Sequence, residues 1–395
     1  YRYRVYPTPG QAQALARVFG CARVVFNDAL RLREDTHARG ERISDTEVQR
    51  RVVTLARQTP ERAWLADAPS VALVQACNDA RRAYRNWFDS LSGRRRGRRL
   101  GRSRFRRKHG KQSIRLTRNG FTLRSNGQLY VAKVGELRVR WSRPLPSVPS
   151  SVTLTGEPDG RYYASFVVEV VDVPRPAVDR AAGVDVGLRA FATVATTDGV
   201  SYTVLNPRLL RRKERALARA QRALSREQKG SRNRHKARRR VAVLHRKVRE
   251  TRLDRAHKSA VTLVRDNQAV HVENLSISGM ARTRLAKSIH DAGLAQFLRV
   301  LREKAGRYGR TVGTVDRWFP STRLCSGCGV VSGPKPLSIR DWTCECGASH
   351  DRDVNAARNI LAAGQAERLN PCGADVRPGP ARAVGVEAGT HRGAA

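Results

Sequence analysis

The chain has 395 residues, 40% of them hydrophobic, and carries 77 Lys and Arg against 34 Asp and Glu, a formal charge of +43. That length suits two or three domains, and that apolar content supports packed cores, which excludes a globally disordered chain. So large a positive excess calls for a polyanion, with nucleic acid the first candidate; no apolar run approaches the roughly 18 residues of a spanning helix, so no membrane partner is expected.

In chain order, YRYRVYP (1–7) alternates like a strand. Thr8-Pro9-Gly10-Gln11 reads as a capping box with Pro at the first helical position, and Ser44 to Glu47 as a second. A third helix starts after Ser70, so that 8–91 forms a helical module. The run 92–112 is almost devoid of apolar residues and cannot fold alone. Beyond it the period changes to two. QSIRLT, GFTLR, GQLYVA, ELRVRW, SVTLTG and RYYASFVVEVV read as short strands of an antiparallel barrel or sandwich, which strand 1–7 is expected to join. After a linker at 173–181, GVDVGLRAFATVATTDGVSYTV reads as a hairpin or three-strand meander. Two very basic helices follow, near 207–228 and 231–266, then a strand (AVHVE, 269–273), a helix (292–306), a strand (311–317), a cysteine region and a helix from Asp353. The Gly-, Pro- and Ala-rich tail, 366–395, is expected to be disordered.

Seven cysteines are an odd count, and four crowd between Cys325 and Cys346. That pattern favours a metal site in a reducing compartment over a disulfide framework. Cys325-Ser-Gly-Cys328-Gly and Cys344-Glu-Cys346-Gly offer four thiolates in two close pairs, which suits a structural, tetrahedral Zn²⁺ with no open coordination position. The second arm is one residue shorter than the commoner C-x-x-C.

Three carboxylates stand out in so basic a chain. Asp185 sits inside an apolar strand, Glu273 ends AVHVE, and Asp353 begins DVNAARNILA. Each has an ordinary reading: a turn partner for Asp185, an arginine partner for Glu273, a helix N-cap for Asp353 and equally for Asp351. A strand Asp, a strand-end Glu and a helix-start Asp can also converge at one sheet edge, where like charges need Mg²⁺ or Mn²⁺ to join them. Two such ions can clamp the attacking and leaving oxygens in phosphodiester cleavage. The order β-β-β-helix-β(Glu)-helix-β-helix(Asp) is that of ribonuclease-H-like nucleases. The basic stretches 92–112 and 207–258 are read as lining a polyanion channel that positions a nucleic acid without reading its sequence. Tyr84, Trp87, Trp141 and Trp318 could stack on bases, with core packing expected for most of them.

The segments GVDVGLRAFATVAT, VENLSISGM, FPSTRLCSGCG and HDRDVNAARNI, in that order, resemble the TnpB family of transposon-encoded proteins, relatives of the type V CRISPR effectors. YPTPGQAQALARVFGCARVVFNDAL and RSRFRRKHGKQSIRLT extend the resemblance upstream, so it covers nearly the whole chain to about residue 365. It implies a multidomain α+β protein. A β-barrel wedge (1–7 and 112–173) carries an inserted helical recognition module (8–111). A ribonuclease-H-like (RuvC) α/β nuclease domain follows (179–321 and 348–365), with a zinc-ribbon insertion (322–347). It also implies an RNA-guided endonuclease that binds a guide RNA from the transposon end and cuts target double-stranded DNA beside a short flanking motif. By position Asp185, Glu273 and Asp353 match the family's catalytic, magnesium-binding acids. His350 stands in an H-x-x-D arrangement that would assist a metal or phosphate, and Gln75 and Asn78 are candidates for reading base edges. The implied setting is the prokaryotic cytoplasm at the nucleoid, with one protein per RNA. The alternatives are a nuclease-silent RNA-guided repressor, which should have lost an acid, and a compact type V CRISPR effector with another guide source. A strand-joining transposase would need a nucleophilic Tyr with metal-binding His residues, a set this sequence does not offer.

Overall fold

The computed structural model describes residues 1–336 and 338–369. The tail expected to be disordered lies outside them from residue 370 on, whereas its first residues, 366–369, continue a helix. Two compact units are formed, Tyr1–Val171 with Glu227–Ala242, and Asp172–Arg226 with the residues from Val243.

In the first unit β1 (Arg2–Tyr6) leads into α1 (Pro9–Ala38). The expected capping box is complete: the Gln11 N–H donates to Thr8 Oγ1 and the Thr8 N–H to Gln11 Oε1, at 3.3 and 3.0 Å. Ser44 likewise caps α2 (Asp45–Gln49). The helix expected to run on from there instead widens into a π-turn at Arg50–Leu55. Val48, Val52 and Val53 are buried across this change. After short 3₁₀ turns, α3 (Ser70–Leu91) packs along α1. The arginine-rich segment after it has no regular structure through Lys111 and uses the two helices as a template. Arg106 exchanges two hydrogen bonds with the Asn27 side chain (2.8 and 3.2 Å) and pairs with Asp79, and Arg102 pairs with Glu34.

Six strands follow: β2 (Gln112–Thr117), β3 (Phe121–Leu123), β4 (Leu129–Val131), β5 (Gly135–Arg140), β6 (Ser151–Gly156) and β7 (Tyr162–Val167). The sheet order is β2-β6-β7-β1-β5-β4-β3. The first strand is thus at its centre, antiparallel to both β7 and β5. The two end strands, β2 and β3, are consecutive in sequence through one 3₁₀ turn, Arg118–Gly120, which makes the sheet a nearly closed barrel. Alternate residues fill it, among them Tyr3, Val5, Leu116, Leu137, Leu154 and Phe166.

The second unit is built on a five-stranded sheet. It begins with the meander β8 (Ala181–Val186), β9 (Ala190–Thr196) and β10 (Ser201–Leu205). Two basic helices, α4 (Leu209–Arg226) and α5 (Arg232–Asp266), the latter with its residues to Ala242 in the first unit, lead to β11 (Ala269–Glu273). The short α6 (Ile277–Met280) and α7 (Ala286–Ala292), which hydrophobic periodicity does not announce, precede α8 (Leu294–Arg307) and β12 (Thr311–Val315). The order is β10-β9-β8-β11-β12, with β8, β11 and β12 parallel. β8, β9 and β11 are buried along almost their whole length, as strands covered on both faces must be. Phe297, Leu301, Ala260 and Leu263 of α8 and α5 belong to one core. A small hairpin, β13 (Asp341–Thr343) with β14 (Ser349–Asp351), then delivers the chain to α9 (Arg352–Leu369), which lies along β8, β9 and β11. The hairpin's second strand thus runs past residue 347, the expected end of the inserted segment.

Candidate active site and metal centre

The strand register brings two of the three acids together. β8 and β11 are parallel, with Val184 opposite Val272, so the next residues, Asp185 and Glu273, leave the ends of adjacent strands side by side. The third arrives on α9 because Gly183 lets that helix settle directly onto β8. A Cβ there would stand 2.2 Å from the Ala357 carbonyl oxygen and 2.5 Å from the Leu361 nitrogen. Asp353 is one turn before Ala357 on the same helix.

The electrostatics report this convergence. Burial, then the charges of Glu273 and Asp353, push Asp185 up to about 7, with Arg352 and Arg340 pulling weakly the other way. The other two acids have protein partners. Ser321 donates its hydroxyl proton to Glu273 Oε1, and Arg340 Nη1 lies 3.1 Å from Asp353 Oδ1. Asp351 is the capping residue, accepting the N–H groups of Asp353 and Val354 at 3.0 and 2.8 Å. Asp353 is therefore not consumed by the helix end.

The cysteines form a second, different centre. Cys325, Cys328, Cys344 and Cys346 are, among the described residues, the only group of three or more Cys, His or acid side chains close enough to share one ion. Cys325 and Cys346 sulfurs are 3.8 Å apart, and those of Cys328 and Cys344 3.6 Å. A tetrahedron with zinc–sulfur bonds of about 2.3 Å has edges of about 3.8 Å, so the four thiols fit a structural zinc. Each arm is a tight knuckle: Cys325 N–H donates to Val330 O, and Cys344 N–H to Ala348 O, both at 2.9 Å. Gly329 and Gly347 close them at φ of 76° and 85°, a conformation that favours glycine. Burial pushes the Cys325 thiol up, but N–H groups of Cys328 and Gly327 and the His350 ring outweigh it and bring it down. The Val330 N–H pulls Cys328 down, yet burial and the three neighbouring sulfurs drive it well up. Four sulfurs so crowded cannot all ionise without a cation among them.

His350 belongs to this second centre. Its Nε2 lies 3.0 Å from Cys325 Sγ and its ring packs on Trp342, opposite it in the hairpin. Gln75 and Asn78 are half-buried on α3 in the first unit. Four residues of weight were not singled out from sequence: Ser321, Arg340, Asn355 and Asn359. The two buried asparagines each donate to the carbonyls of Ser321 and Leu324, and Asn355 also accepts from the Ser326 N–H. Their i, i+4 spacing, on one face of α9 with Ala356 and Ile360 as apolar neighbours, was the available signal.

The chain is similar to known proteins over nearly its whole length. Family models match residues 165–284 ("Probable transposase"), 295–360 ("Cas12f1-like, TNB domain") and 1–42 ("Helix-turn-helix domain"). The last of these stretches holds a strand and one unbroken helix, α1. A Streptomyces pristinaespiralis protein named "Putative RNA-guided DNA endonuclease" is 42% identical over 382 residues, 96% of this chain and 92% of its own. A Mycobacterium tuberculosis protein of the same description is 30% identical over 422 aligned positions, 98% and 91% of the two chains. The fold resembles that in a cryo-EM structure of a Cas12f1–sgRNA–target DNA complex, with a TM-score of 0.55 at 14% identity over 89% of this chain and 82% of that one. The chain belongs to the TnpB family of RNA-guided DNA endonucleases.

Proposed function

We propose that this protein is the RNA-guided endonuclease of a transposon, cutting double-stranded DNA next to a short flanking motif at a RuvC-like site made by Asp185, Glu273 and Asp353. The observation that carries this reading is that strand register and the seat of α9 on Gly183 bring Asp185, Glu273 and Asp353 to one end of the sheet, where burial and the other two acids push Asp185 up. A carboxyl held near neutrality by its neighbours is one that a divalent cation can discharge. Two Mg²⁺ or Mn²⁺ ions held by the three carboxylates would supply charge stabilisation at the attacking and leaving oxygens.

The protein's own groups then have distinct tasks. Ser321 fixes the orientation of Glu273, Asp351 caps α9 so that Asp353 need not, and Arg340, paired with Asp353, supplies positive charge at the site's rim. Cys325, Cys328, Cys344 and Cys346 would hold a structural zinc that fixes the loop carrying Arg340. Guide pairing supplies target sequence, while the basic helices α4 and α5 and the segment 92–112 grip RNA and heteroduplex backbones. Gln75 and Asn78 are offered to base edges of the flanking motif. One protein per RNA, working on DNA in the cytoplasm, completes the reading.

Sequencing the RNA that copurifies with the protein tests it. A transposon-end scaffold with a 3′ guide, directing Mg²⁺-dependent cutting of a matched duplex, is the expected result. A nucleic-acid-free preparation, or cutting indifferent to the guide, would overturn it.

A further inference from the structure

The chain has five tryptophans. Four are engaged: Trp64 lies under Arg62 and its indole N–H donates to Glu61 O, Trp87 packs on Tyr84 and Phe88, Trp141 on Tyr3 and Phe166, and Trp342 on His350 with Lys335 over its face. The fifth, Trp318, is 84% exposed, and its ring has no aromatic or cationic partner among the described residues. A single exposed apolar side chain is ordinary on a protein surface; what sets Trp318 apart is an open indole face combined with the way its backbone is held.

Its backbone is nevertheless held firmly, and held to the active site. The turn begins at Val315, which pairs in register with Glu273 and accepts the Asn274 N–H. Asp316 Oδ1 accepts the Trp318 N–H at 2.8 Å, and Arg317 Nε donates to Asn274 O. The turn ends at Ser321, whose hydroxyl binds the Glu273 carboxylate. A free indole is thus carried on a short rigid arch with both feet on one metal-binding acid. The geometry points to Trp318 as a stacking platform for one unpaired base of the DNA strand entering the nuclease site, on the proposed-function reading of that site. The charge of the chain draws a polyanion here, and an indole face accepts any base, which suits an enzyme whose sequence choice is made elsewhere.

The test uses the RNA-loaded protein with Mg²⁺ and matched duplexes carrying single abasic nucleotides stepped through the strand that is cut. Trp318→Ala should lower kcat/KM by about 5- to 150-fold, the range of one base–aromatic stack, and Trp318→Phe should restore most of it. In the wild type, an abasic nucleotide at one position should cause the same loss, and Trp318→Ala should not respond further to it. Independently of cutting, a dT oligonucleotide should quench tryptophan emission in the wild type and not in Trp318→Phe. Wild-type kcat/KM in Trp318→Ala, losses that add at every abasic position, or equal quenching in both proteins would overturn the proposal. Wild-type cutting that survives Asp185→Ala would instead overturn the reading of the site, leaving the quenching experiment to judge the indole.

Discussion

In the cysteine clip, four sulfurs stand at the spacing of a tetrahedral ion, closed by two glycine knuckles. At the ends of β8 and β11, three carboxylates gather more loosely, one holding its proton to about pH 7 and the other two held by Arg340 and Ser321. The difference is one of chemistry. Thiolates are soft ligands, and four of them make a complete tetrahedral shell for zinc, as a structural ion requires. Ionised carboxylates at the same spacing repel, and on the proposed reading a site that admits a phosphodiester keeps its ligands apart.

The comparison breaks most sharply if the carboxylates are dispensable. Asp185→Ala, Glu273→Ala or Asp353→Ala should each reduce single-turnover cleavage by more than about 100-fold, beyond what outer partners of a metal contribute, with RNA retention in filter binding unchanged. Next in size is the clip. Wild-type protein should contain one zinc per chain, and the Cys325→Ser, Cys344→Ser double variant none. Cleavage in that variant should fall by about 10- to 100-fold, since Ser321 and Asp353 are anchored through the same loop. The third concerns pH. Asp185 must lose its proton to bind a cation, and its folded-state value lies above the ordinary one, so ionisation is incomplete below about 7. The Mg²⁺ concentration for half-maximal cutting should therefore rise as pH falls through 7 towards 5, by up to about tenfold per unit, whereas zinc content should not change over that range. The same shift makes the metal-free fold lose stability as pH rises from about 4 to 7, because the folded state holds a proton that the unfolded chain releases. The smallest effect is at the rim. Arg340→Ala removes a part-exposed ion pair and should tighten Mn²⁺ binding, followed by calorimetry, by about two- to fivefold.

Much of this was legible because the chemistry is rare in the chain. An acid inside an apolar strand or at a strand's end is conspicuous at +43, and paired cysteines announce themselves by spacing. The joining of strand 1–7 to the later sheet was legible from alternation alone, since period two is local information. Arg340 was not, because one arginine among so many basic residues carries no signal until the hairpin brings it to Asp353. His350 was read by its separation from Asp353, but a strand reverses direction at each residue: Trp342 and His350 face the sulfurs while Asp351 turns to cap α9. Helix α6 escaped because it is one turn long with no buried residue, and α7 because its buried residues, Ile289, Asp291 and Ala292, include an acid. Asp291 accepts the N–H groups of Leu210 and Arg211 and so serves as the cap of another helix, α4.

The two asparagines of α9 have a consequence for how this protein tolerates change. Asn355 and Asn359 fasten the entry to the clip, at Ser321 and Leu324, onto the same helix that presents Asp353. The clip and the last acid are therefore registered to each other through a few fixed hydrogen bonds, not through the length of chain between the two cysteine pairs. A change of length between Ser332 and Arg340 would leave that register, the Arg340–Asp353 pair and the β13–β14 hairpin in place. One residue added or lost between Cys346 and Asn355 would put the nuclease out of alignment.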